Sequence, residues 1–334
     1  MAVPSRASGQ RPLLGVPDNF LPEHFLPEHW VTSRPLEDVA GPSKETEEHA
    51  NRVSWVGLGG FHRRRCFRFR GAAEQKAGFD LIEIPLLDPN DFDVEAGAEA
   101  LRKYGQVATA SLGQSRETDM TSEDLEQVAA GEAKLLRCVE VLAGLGGKWL
   151  TGALYSELRK YDEPYTDKAR ANGQSALANV ADAAAERGIS LGVEVVNRYE
   201  SNMLNTARQA LRYVEEVDRP NVYVHLDSYH MNIEEADMFT PILECGDRLG
   251  YVHVGENHRG YLGSGTVNFT EFFHALSAVG YDGPVVFESL STAVVHPDLS
   301  RMLAVWRNLW ADSEELARQA NDYIRAQILG AQST

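Results

Sequence analysis

Eight short apolar runs recur along this chain with stretches of helical period between them, and that alternation restricts the fold more than any other property of the sequence. The runs lie at 53–57 (VSWVG), 79–85 (FDLIEIP), 106–112 (QVATASL), 148–154 (KWLTGAL), 191–197 (LGVEVVN), 222–228 (VYVHLDS), 249–255 (LGYVHVG) and 284–289 (PVVFES). Most are short and apolar, as expected of parallel strands buried on both faces. The stretch 122–146 opens with Ser122 three residues before Leu125 and closes on glycines, which predicts a capped helix. Further helices are expected at 169–188, at 205–220 up to Pro220, and at 268–284. In 297–328, Leu299, Leu303, Trp306 and Trp310 recur every three to four residues, the pattern of the inner face of a closing helix. Eight strands alternating with helices predict an α/β chain folded as a (β/α)8 TIM barrel over residues 53–330.

The main competitor is a doubly wound open sheet, which carries a Gly-rich phosphate loop after its first strand. Here WVGLGGF (55–61) offers Gly57, Gly59 and Gly60 but is not GxGxxG, and no matching acidic residue follows roughly 20 positions on. No nucleotide cofactor is therefore expected. Residues 1–52 are rich in Pro, Glu, Ser and Arg, and LPEHFLPEHW (21–30) is a tandem duplication carrying His24 and His29. Such composition cannot bury enough apolar surface to offset the entropy of ordering, so 1–52 read as an N-terminal extension with little fixed structure.

Charge narrows the partners. The net charge is −17 over 334 residues, and residues 1–73 carry ten Lys/Arg against eight Asp/Glu, so the whole negative excess lies in the barrel. A nucleic-acid binder needs a basic face, so a small neutral molecule or a cation is the better partner. No apolar run approaches the roughly 18 residues of a membrane span, and the N-terminus has no secretory apolar segment, so a soluble cytoplasmic protein is expected. Cys66, Cys138 and Cys245 are widely spaced and form no CxxC, which argues against a disulfide framework or a structural zinc site.

Barrel active sites gather at the C-terminal ends of the strands. There the fifth strand carries Glu194, the sixth Asp227, the seventh His253 and the eighth Glu288, separated by 33, 26 and 35 residues, each about one βα unit. Each uncompensated carboxylate in an apolar barrel costs roughly several kcal/mol, and a divalent cation compensates all four groups together. Three carboxylates and one imidazole suit Mn²⁺, Co²⁺ or Mg²⁺, with Zn²⁺ also open. Around this set Glu200, His230 and Arg259 supply donors and acceptors of the kind a polyhydroxylated substrate requires. His225 shares the face of Asp227 one layer deeper and reads as structural. Two glutamates flanking an α-hydroxyketone could remove a proton beside the carbonyl and return one from the far side, through a cis-enediolate.

The segments GVEVVNRYESNMLNT (192–206), HLDSYHMNIEE (225–235), HVGENHRGYLGSG (253–265), VVFES (285–289) and AGFDLIEIPLLDP (77–89) resemble the ketose 3-epimerases: D-tagatose, D-allulose (D-psicose) and L-ribulose 3-epimerases, which are xylose-isomerase-like barrels. The likeness covers about 74–328. It implies one Mn²⁺- or Co²⁺-type ion per subunit held by Glu194, Asp227, His253 and Glu288. It implies Glu194 and Glu288 as the proton-transfer pair, and contacts from Glu200, His230 and Arg259 to the substrate's O1–O3 end. Glu83 in the second strand is expected to line the pocket. A homodimer or homotetramer follows from the same resemblance. The chain departs from the family in its 52 leading residues and the basic run GFHRRRCFRFRGAAEQ (60–75). An aldose–ketose isomerase using the same apparatus is the alternative reading, and a barrel endonuclease a more distant one that would want a basic groove.

Overall fold

The computed structural model describes residues 53–56, 77–292, 300–301 and 303–333. The expectations for 1–52, for 60–75 and for Leu299 lie outside the described residues. Eight strands form a closed, wholly parallel barrel: β1 (Val53–Val56), β2 (Leu81–Pro85), β3 (Val107–Ser111), β4 (Trp149–Gly152), β5 (Ser190–Glu194), β6 (Val222–Asp227), β7 (Leu249–Val254) and β8 (Val285–Phe287). Each strand pairs with the next in sequence, and β8 closes on β1 with Val53 opposite Val285. Every strand falls within three residues of its expected span.

Local chemistry explains where the helices start. Asp93 opens α1 (Val94–Tyr104) by accepting from the Ala96 amide, and Gly105, at φ 64°, ends it in a left-handed cap. The helix α2 (Leu125–Gly144) is capped by Asp124 rather than by Ser122; the Ser122 hydroxyl accepts from the Asp124 amide instead. Thr166 caps α3 (Asp167–Ala185), and Thr206 with Gln209 makes a capping box for α4 (Ala207–Val217). Two short helices, α5 (Ser228–Glu234) and α6 (Thr240–Cys245), fill the connection between β6 and β7. Asn268 caps α7 (Phe269–Ala278).

The closing helix corrects the sequence reading. The long helix is α8 (Ser313–Gln332), and 303–312 form a non-helical strap ahead of it. Trp306 is 71% exposed whereas Trp310 is buried, so the apolar residues of the strap do not share one helical face. Two local bonds override the helical period. The Ser291 hydroxyl donates to the Trp310 carbonyl at 2.7 Å and accepts from the Leu309 amide at 3.2 Å. Asp312 then accepts from the Glu314 and Glu315 amides and restarts the helix.

The main core lies between the outside of the barrel and the helices. Inside the barrel, Leu81, Tyr251 and Val286 form a small separate cluster with Val107 and Trp149 packed against it. Above that plug the interior turns polar: Thr109, Thr151, Glu83, His225 and His253 are all buried. Gly192 makes this layer possible, because a Cβ there would sit 2.7 Å from the Thr151 hydroxyl. Among the described residues no helix is long and apolar enough to cross a membrane.

Candidate active site

The strand ends bring the four expected ligand residues together. Glu194 closes β5, Asp227 closes β6, His253 lies one residue before the end of β7, and Glu288 directly follows β8. The register sets Asp227 beside His253. His253 Nδ1 lies 3.5 Å from Glu194 Oε1 and 3.6 Å from Glu288 Oε2. Ligand atoms of Asp227, His253 and Glu288 lie within 4.8 Å of one another, as do those of Glu194, Asp227 and His230.

Three histidines meet here, and their hydrogen bonds set the tautomer of each: Nε2–H in His253 and His230, Nδ1–H in His225. His253 Nε2 lies 2.9 Å from Glu83 Oε2, a carboxylate oxygen that accepts, so in the neutral ring the proton lies on Nε2 and Nδ1 keeps its lone pair. The Asn197 amide donates to His230 Nδ1 at 3.1 Å, so in the neutral ring the proton lies on Nε2, which faces Glu194 and Asp227 at 3.8 and 3.7 Å. At His225, Thr151 gives its only proton to the Gly192 carbonyl, so His225 Nδ1 donates to Thr151 Oγ1 across 2.6 Å. Among the described residues its Nε2 has no hydrogen-bond partner. Burial, followed by the neighbouring His253 and His230, pushes the His225 pKa down, which keeps the ring neutral.

His253 Nδ1 is buried and makes no hydrogen bond among the described residues, and the same holds for Glu288 Oε2. Glu288 Oε2 does approach Arg259 Nη1 at 2.5 Å as an ion pair, without an aligned N–H. Burial opposes charge on His253, yet Glu83, Glu194 and Glu288 outweigh it and hold the ring's pKa well above its ordinary value. The carboxylates thus call for positive charge at Nδ1, which a proton or a metal ion can provide. Donor atoms this close together, all within 4.8 Å for Asp227, His253 and Glu288, could share one ion. These residues fit a divalent cation.

Arg259 completes the ring. Its Nη1 donates to Asp227 Oδ2 at 2.8 Å, and its guanidinium stacks over Tyr229 with Cζ 3.8 Å from the ring centroid. Gly255 leaves room for the guanidinium, since a Cβ there would meet Nη1 at 2.8 Å. The two glutamates shift in opposite directions. Burial raises the pKa of Glu194 above its ordinary value. Burial also pushes Glu288 upward, but Arg259 and His253 overcome it and hold its carboxyl well below the usual range.

Glu194, Glu200, His230, His253, Arg259 and Glu288 all line one cavity of about 250 Å³ at the barrel mouth. Glu200 Oε1 accepts from the Asn197 side chain at 2.8 Å, so Asn197 positions both Glu200 and His230. Glu83 is a correction: it does not line the cavity but sits beneath it, 1% exposed, accepting from Tyr251 and from His253. Sequence reasoning also missed Asn197, although it stands in the NRYE segment that supplied Glu200, and it missed the strap, whose residues 303–307 form one wall of the cavity.

The family model for the xylose isomerase-like TIM barrel matches residues 72–327. A ketose 3-epimerase from Arthrobacter globiformis is 56% identical over 261 residues, 78% of this chain and 90% of that protein. An L-ribulose 3-epimerase from Methylomonas sp. is 50% identical over 76% of this chain and 89% of its own length. The crystal structure of a D-allulose 3-epimerase from Methylomonas sp. in complex with D-allulose superposes with a TM-score of 0.80 at 46% identity, covering 83% of this chain and 97% of that one. With the fold, the clustered strand-end residues and these relatives in agreement, the chain belongs to the ketose 3-epimerase family of xylose isomerase-like barrels and is an isomerase.

Proposed function

We propose that the enzyme inverts C3 of free ketoses, of the D-allulose/D-fructose or D-tagatose/D-sorbose type and L-ribulose, by deprotonation and reprotonation through a cis-enediolate. The observation that carries this reading is the placement of Glu194 and Glu288, carboxylates from strands 5 and 8 that converge on His253 Nδ1 at 3.5 and 3.6 Å in the floor of one cavity. One of the pair takes the C3 proton; the C–H electron pair moves toward C2 and the carbonyl becomes an enediolate oxygen. The other carboxyl gives its proton to C3 from the opposite face, and the carbonyl re-forms. No net oxidation occurs. The two glutamates exchange protonation states in each turnover, which suits a reversible reaction. His230, with its Nε2–H, and the Arg259 guanidinium offer donors to substrate oxygens, and Glu200 offers an acceptor.

Glu194, Asp227, His253 and Glu288 would hold a divalent ion, Mn²⁺ or Co²⁺ by the oxygen-rich donor set. When bound, that ion supplies Lewis acidity that stabilises negative charge developing on the ketose oxygens. A panel of ketoses, incubated with chelator and then with Mn²⁺ or Co²⁺ restored, tests the reading. The expected product is the C3 epimer, formed only after metal is returned. An aldose product would instead establish proton transfer between C1 and C2, and undiminished turnover in chelator would remove the metal from the account.

A further inference from the structure

We propose that Ser289 and Trp310 are positioning residues that couple the strap over the cavity to Arg259; the catalytic part of this inference rests on the reading of Arg259 as a substrate-facing cation. Arg259 has φ 60°, a left-handed conformation that a side chain with a Cβ adopts at a cost of roughly 1–2 kcal/mol. Its backbone is held there at both ends. The Arg259 amide donates to the Glu256 carbonyl at 2.8 Å, and its carbonyl accepts from the Leu290 amide at 3.2 Å and from the Ser289 hydroxyl at 2.5 Å. The buried Trp310 indole donates to Ser289 Oγ at 2.7 Å.

The direction of this relay is fixed by donor inventory. An indole N–H can only donate, so Ser289 Oγ accepts from it and is left with its own proton for the Arg259 carbonyl. Each bond polarises the next. Trp310 lies in the strap whose residues 303–307 wall the cavity, so the seating of the strap and the backbone geometry that aims the guanidinium are one hydrogen-bonded unit. The guanidinium touches Asp227 and Glu288, so a displaced Arg259 disturbs both the charge balance and the substrate's oxygen contacts.

The test uses Trp310→Phe, which deletes the indole N–H while keeping a buried aromatic ring, and Ser289→Ala. Each is expected to lower kcat/KM for the ketose by roughly tenfold to a hundredfold. In an Arg259→Ala background, Ser289→Ala is expected to add less than about twofold, because its effect runs through the missing guanidinium. A second readout needs no sugar. The side-chain N–H resonance of Arg259, identified by its loss in Arg259→Ala, is expected to shift in Trp310→Phe, a residue that does not touch it.

An unmoved resonance, or losses that multiply fully with Arg259→Ala, overturns the relay. A shifted resonance in a protein that does not epimerise ketoses upholds the relay and removes the proposed reaction instead. If Ser289→Ala fails to fold, Trp310→Phe decides on both readouts.

Discussion

Glu83 sits on β2 beneath the cavity, 1% exposed. As a strand glutamate near the mouth of a barrel it reads as a pocket residue, yet its carboxylate is spent on Tyr251 and His253, at 2.6 and 2.9 Å. That bond keeps the proton of the neutral His253 ring on Nε2, so Glu83 would act on an ion held at Nδ1 through the histidine. Glu83→Gln is expected to weaken Mn²⁺ or Co²⁺ binding by about 10–100-fold, measured by titration calorimetry. Unchanged affinity would mean that the tautomer is set by something else. Gly192 is a second position decided by contact, because the Thr151–His225 bond passes over it. Gly192→Ala is expected to destabilise the fold by about 1–3 kcal/mol in urea denaturation; a neutral substitution would show that the polar layer is loosely packed. Residue types at strand ends could be read from sequence because the barrel puts them there by rule. The partner of each side chain could not, since His253 and Glu83 stand 170 positions apart.

Among the elements, the strands were legible because burial on both faces writes a continuous apolar run. The 303–312 strap was misread because its apolar residues fall at helical spacing although they face the cavity, the solvent and Ser291 in turn. Helix-to-helix contacts lie further beyond the sequence. Glu216 on α4 accepts from the Nε and Nη2 of Arg170 on α3, at 3.0 and 2.6 Å, and from Gln174 at 2.6 Å. Burial pushes the Glu216 pKa up, but the Arg170 and Gln174 bonds outweigh it and leave the carboxyl below its ordinary value. A carboxylate depressed in the folded state stabilises the protein above its unfolded pKa, and that contribution is lost as pH falls through the folded value. Because the Glu216 side chain is 43% exposed, the contribution is held to about 0.5–1 kcal/mol by solvent screening. Glu216→Gln is accordingly expected to be less stable than the parent at neutral pH, with the gap closing on acidification below the ordinary glutamate range. A pH-independent gap in denaturant midpoints would assign the loss to packing.

For the molecule as a whole, the cluster at the barrel mouth couples function to stability. Carboxylates packed around His253 repel one another in the folded state; a cation bound there would relieve them and would favour the native chain over the unfolded one. At a free ion concentration about 100 times Kd, the gain is about 2.7 kcal/mol. Chelator is expected to lower the melting temperature and added Mn²⁺ or Co²⁺ to restore it, in a thermal scan; identical scans would place the ion elsewhere or nowhere. Ala substitution of Asp227 should abolish the metal-dependent part of the shift, since Asp227 is fully buried within the cluster.

By itself the sequence determined the closed eight-stranded barrel, the end of it that carries the chemistry, and four ligand-type residues one βα unit apart. Those follow from periodicity and chain order, which are local properties written residue by residue. The tertiary structure alone decided which nitrogen of each histidine is bare, that Glu83 orients His253 and does not line the cavity, and that the strap closes one side of the site. Those depend on which groups distant in sequence come within hydrogen-bond reach once the sheet curls and closes. No linear spacing encodes that distance.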